Sequence, residues 1–81
     1  MSLKEMINSE VGRFLKLSRL RHCTSMDLAE KFIGYGLHEI EDGKKGIACC
    51  DIVRLSEFYQ IPKSQVADWF FDFQMKIQKK R

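Results

Sequence analysis

The stretch Thr24–Lys45, "TSMDLAEKFIGYGLHEIEDGKK", decides how this chain folds. Thr24 is a helix-capping residue type, and Asp27 three positions later gives a capping-box spacing, so a short second helix is expected to start there. Leu28, Ala29 and Phe32 fall on its expected inner face, with Met26 left unplaced, and the helix should end at Phe32 or Ile33. Gly34, Tyr35 and Gly36 follow. Two glycines in three residues mark a tight turn, where positive φ costs little. "LHEIED" then reads as a very short third helix, with Leu37 and Ile40 inward and Gly43 as its C-terminal stop. Two short helices joined by a glycine turn make a helix-turn-helix candidate.

Working outward, apolar residues recur at helical spacing and strand signals are weak. The first helix is expected from near Ser9, or earlier, to Arg21. Ile7, Val11, Phe14, Leu15 and Ser18 share a stripe with Leu17 beside it, and Arg13, Lys16 and Arg19 take the other side. The fourth helix should run from Ala48 to Tyr59 on an inner stripe of Ile52, Leu55 and Tyr59, and the only proline, Pro62, breaks the chain after it. Ser64 is the expected cap of a fifth helix, whose Val66, Trp69, Phe70, Phe73 and Ile77 give the clearest helical period in the sequence. Phe71 and Met75 form a second apolar ridge there, the expected interface of a homodimer. Residues 74–81 read as a basic tail, of which "KIQKKR", residues 76–81, is expected to fray. The fold class is therefore all-α: a compact five-helix bundle in one domain spanning residues 1–81.

Composition narrows the function. Eighty-one residues make one domain with a modest core and no room for a large catalytic cavity. Hydrophobic residues are 44% and charged residues 31%, ordinary for a soluble globular domain. No apolar run is long enough to cross a membrane and no secretory leader is evident, so a cytoplasmic location is expected. A net charge of +3 is compatible with a nucleic-acid partner without requiring one. Cys23, Cys49 and Cys50 are odd in number and two are adjacent, which argues against a disulfide framework. They are expected as free, small core residues. No Cys/His spacing suggests zinc, and no cofactor motif is present. Asp27, Glu30, Glu39, Glu41, Asp42 and Asp51 supply carboxylates but no evident catalytic pair, and no nucleophile motif or phosphate loop accompanies them, so catalysis is not expected.

"TSMDLAEKF", "IEDGKK" and "IVRLSEFYQIPKSQVADWF" resemble, in order, the second helix, the third-helix end, and the fourth and fifth helices of the lambda-repressor-like (Cro/C1, Xre-type) DNA-binding domain. The matching residues are Thr24, Leu28, Ala29, Glu30 and Lys31; then Ile40, Glu41, Gly43 and Lys44; then Ile61, Pro62, Ser64, Trp69 and Phe70. The resemblance covers roughly Val11 to Phe71. The spacing from Ala29 to Glu41 is shorter than the family's, so the turn and recognition helix are clipped.

The resemblance implies a small bacterial or phage-type transcriptional regulator, a repressor-like homodimer on double-stranded DNA. The third helix would enter the groove while the second straddles the backbone. The residues placed there are Tyr35, Gly36, His38 and Glu39, a set poor in the Gln, Asn and Arg that read purines. Tyr35, set between glycines, is expected to be exposed, to stack or bond a phosphate, or else to plug the turn. His38 would bond a guanine or a phosphate, and Glu39 a cytosine amino group. Lys44 and Lys45 would lie against phosphates, joined by Ser25 at the start of the second helix and by Lys31, with Arg21 a weaker candidate. Glu41 is implied to be structural, paired with Arg19 or Arg21. The alternative is a degenerate helix-turn-helix that binds a protein partner, as an antitoxin, an anti-repressor or a regulator subunit. The acidic "HEIED" favours that version.

Overall fold

The computed structural model describes residues 2–80, and the described residues form five α-helices and no strand. The helices are α1 (Leu3–Arg21), α2 (Met26–Ile33), α3 (Leu37–Glu41), α4 (Cys49–Phe58) and α5 (Lys63–Lys80). Arg81, the last residue of the expected tail, lies outside the described residues.

Helix α1 starts well before Ser9 because Ser2 caps it, accepting the Glu5 N–H at 3.2 Å. Its end explains the next start. The Cys23 N–H donates to Leu20 O and the Thr24 N–H to Arg19 O, each at 3.1 Å, with Cys23 at φ 56. That is the Schellman closure, with a cysteine where glycine is usual. Thr24 is thereby consumed in ending α1, and the expected Thr24–Asp27 capping box does not form. Ser25 caps α2 instead, its hydroxyl accepting the Leu28 N–H at 3.2 Å.

The inner face of α2 also differs from expectation. Ala29 and Ile33 are buried, Met26 packs against the core, and Leu28 and Phe32 are exposed. Leu28/Phe32 and Ala29/Ile33 are both i, i+4 pairs on neighbouring stripes, and the stripe carrying the small residue is the one that turns inward. Phe32 stacks on Phe58 of α4, centroids 4.4 Å apart.

The third helix ends at Glu41, with Asp42 as C-cap and Gly43 just beyond at φ 78. The Gly43 N–H donates to Ile40 O and the Lys44 N–H to Glu39 O, both at 3.0 Å, a second Schellman closure. Glycine here avoids the left-handed penalty of ~1–2 kcal/mol that a Cβ brings. Helix α4 closes the same way through Gln60 at φ 59.

Helix α5 begins at Lys63, with the Val66 N–H donating to Pro62 O at 3.3 Å. Ser64 sits inside the first turn and is not the cap. Nor does the chain fray from residue 76 over the described residues: the helix runs on through Lys80, because Phe73 and Ile77 drop into the core.

Leu15, Ala29, Leu37, Ile40 and Leu55 have no exposed surface and form the centre of the bundle. The three cysteines are free and exposed rather than core residues. Cys23 is at the left-handed end of α1, and Cys49 and Cys50 open the first turn of α4. No helix is long and apolar enough to cross a membrane among the described residues.

Candidate nucleic-acid interface

Helix α3 is anchored from behind. A Cβ on Gly12 would lie 2.2 Å from Ile40 O and 2.9 Å from Glu41 O, so α1 and α3 meet backbone to backbone and only glycine fits. Beside that contact, Arg19 Nε donates to Glu41 Oε2 at 2.8 Å and Arg19 Nη2 to Glu41 Oε1 at 3.1 Å. Arg19 Nη1 also donates to Thr24 O at 3.1 Å, so one guanidinium ties α1, the α1–α2 link and α3 together. The pair is nearly dry, with the Glu41 side chain 3% exposed. The hydrogen bonds that Arg19 donates to Glu41 raise the Arg19 pKa, against the opposing effect of burial.

The outer face is held differently. Glu30 Oε1 accepts the backbone N–H of His38 at 3.2 Å and meets its Nδ1 at 3.0 Å. Gly36, the N-cap of α3, has no side chain for capping, so Glu30 reaches across the turn and satisfies one free donor. The His38 pKa is raised by the bond to Glu30, and the Glu30 pKa is lowered by the same bond. His38 is thus engaged, not poised for a base. Glu39 is exposed, and its carboxylate lies 3.4 Å from where a Cβ on Gly36 would sit.

Tyr35 plugs the turn and is not exposed. Its hydroxyl donates to Asp51 Oδ2 on α4, and burial followed by that bond pushes its pKa up to about 12. Arg54 Nη1 donates to Asp51 Oδ1, and Arg54 Nη2 donates to Phe32 O, both at 3.1 Å, which completes a strap from α4 to the end of α2. Lys44 and Lys45 are exposed past the Gly43 turn, and neither has an ion pair among the described residues. Lys45 Nζ lies 5.9 Å from the Tyr35 ring centroid. Lys31 and Ser25 are exposed on α2. The Ser25 hydroxyl accepts the cap bond, and its proton is free to donate.

The outer face of α2 and α3 thus carries the carboxylates of Asp27, Glu30, Glu39 and Asp42 beside Lys31, Lys44 and Lys45. Sequence reasoning missed two working residues. Gly12 carried a signal, a glycine in mid-helix where it costs ~1 kcal/mol against alanine. Glu30, as the holder of α3, carried none, because its partner is across the turn.

On α5, Phe71 is 68% and Met75 45% exposed. A nearby groove of about 300 Å³ between α4 and α5 is lined by Val53, Ile61, Val66 and Phe70, with Glu57 and Lys63 also on its wall. Neither a protein-family model, a curated protein nor a solved structure matches this chain.

Proposed function

We propose that the chain is a small lambda-repressor-like transcriptional regulator that binds duplex DNA as a homodimer and holds it mainly by the phosphates. The observation that carries this reading is the paired Lys44–Lys45 loop. It is exposed, free of ion pairs among the described residues and fixed in place by the Gly43 closure directly beyond α3. Ser25 and Lys31 offer further donors from α2, where an N-terminus favours anions. The five-residue α3 offers Glu39 to base edges while His38 is held by Glu30, so sequence preference is limited.

Three lysines per protomer make about six phosphate contacts in a dimer, so retention should fall with salt on a log–log slope of roughly −5. Lys44→Glu with Lys45→Glu should abolish gel retention and leave the helical circular dichroism intact. Retention that survived both changes would misplace the phosphate loop. The second copy is expected along α5, with Phe71 seated in the partner's α4–α5 groove and Glu57 of each copy facing Lys63 of the other, the self-complementary pairing that a two-fold axis needs. Sedimentation of wild type against Phe71→Glu tests this, and equal masses would remove α5 from the interface.

A protein partner is the second reading, favoured by the four carboxylates of the outer face. Selection from random DNA separates the two. A palindrome with half-sites ~34–36 Å apart supports the regulator, and no enrichment at any salt supports the partner.

A further inference from the structure

A cavity of about 380 Å³ lies between α1 and the junction of α4 with α5. Its wall includes Phe14 and Trp69, stacked with centroids 4.2 Å apart, and Leu17, which is 50% exposed. Arg13, Leu17 and Arg21 are spaced i, i+4, i+8 on α1, one stripe about 12 Å long with a cation at each end. Neither Arg13 nor Arg21 has an ion pair among the described residues. His22 uses Nδ1 on the Thr24 hydroxyl at 2.9 Å, which leaves Nε2 free. Glu10 is the only carboxylate among the lining residues, and it is held by Lys76 Nζ at 3.5 Å.

The cavity therefore joins uncovered apolar surface to two guanidinium groups without acidic partners. Pockets for small ligands have this volume and this mixture of apolar wall and few polar groups. Guanidinium groups bind carboxylates by paired, charge-assisted hydrogen bonds and stack on aromatic faces. We propose that this cavity binds a small aromatic carboxylate, with the ring against Leu17 and the Phe14–Trp69 wall and the acid group on Arg13 or Arg21. Bound there, the ligand would bridge α1 to the α4–α5 junction, away from the α2–α3 face. The site stands on its own and does not depend on DNA binding.

Trp69 is the chain's one tryptophan, so its indole N–H gives a single resonance that reports on this wall. Titration of the full chain with 3-phenylpropionate should shift that resonance saturably. Phenethylammonium, of the same shape and opposite charge, should bind at least about tenfold more weakly. Arg13→Ala with Arg21→Ala should weaken 3-phenylpropionate by a similar factor. Both side chains are exposed, and circular dichroism checks that the variant folds. No saturable shift, equal binding of acid and amine, or undiminished binding by the double variant would each overturn the site.

Discussion

On its inner side, α3 presents Leu37 and Ile40 with no exposed surface, and Glu41 in a two-bond clasp with Arg19. On its outer side it presents His38 and Glu39, of which His38 is held by a single carboxylate oxygen of Glu30. The same five residues are thus fixed behind by packing and a dry ion pair, and in front by a wet one. The His38 side chain is 61% exposed and that of Glu30 30%, whereas the inner pair stands at 12% and 3%. Coulomb energy is screened at the first pair and not at the second. The position of α3 is therefore set from the α1 side, and its outer residues can change without moving it.

The largest test of that contrast is Glu41→Ala. It leaves the Arg19 guanidinium buried without its carboxylate, and should cost ~3–5 kcal/mol in urea unfolding. Replacing both partners, Arg19→Met with Glu41→Leu, should cost well under the sum of the single changes. Gly12→Ala comes next. Helix propensity alone would add ~1 kcal/mol of stability. The added Cβ meets backbone oxygens that cannot rotate away, so the net result should be a loss of about 2 kcal/mol. A neutral or stabilised Gly12→Ala would show that α1 and α3 are less closely seated than this.

Tyr59 lies near the same seam, and its buried hydroxyl has no hydrogen-bond partner among the described residues. Tyr59→Phe removes an unsatisfied group and should raise stability by about 1 kcal/mol. Burial, then the Glu41 charge, pushes the Tyr59 pKa up to about 12 from an ordinary 10.0. A folded-state pKa raised this way gives stability that is complete below pH 10 and lost as pH climbs toward 12, where the unfolded chain ionises first. The Phe variant should lose less than wild type across that window in thermal unfolding, while Tyr35, also at about 12, keeps its own share of the loss.

The inner side of this fold was legible in the sequence, and the outer side was not. Leu37 and Ile40 repeat at helical spacing, and burial follows from that period. Arg19 and Glu41 were reached through resemblance, with Arg21 an equal candidate; the geometry selects Arg19. Around α2 the pattern misled for physical reasons. Two adjacent residues, Thr24 and Ser25, can both cap, and only the Schellman closure of α1 decides between them. Two apolar stripes compete, and the larger side chains lost to Ala29 because helices approach most closely over small residues. Tyr35 between two glycines read as exposed, yet Asp51 sixteen positions away holds its hydroxyl. No local rule in the sequence pairs those residues.

The smallest expected effect is on the outer pair. The His38 pKa is raised, so its share of stability is complete below its ordinary 6.5 and is lost as pH rises through the folded value. The Glu30 pKa is lowered, so its share is complete above the ordinary 4.5 and is lost as pH falls through the folded value. Glu30→Gln should therefore lower the thermal midpoint slightly, most near pH 5–6 and less toward pH 8 as His38 loses its proton and only the backbone hydrogen bond stays at stake, a pH dependence that a packing defect would not produce. A large loss at every pH would mean that Glu30 holds α3 as firmly as Arg19 does, and the contrast between the faces would fail. If the chain holds DNA as proposed, the same proton adds a positive charge among four carboxylates. Retention should therefore strengthen as pH falls from 8 to 6 in wild type, and His38→Gln should flatten that dependence without changing the melting profile at pH 8.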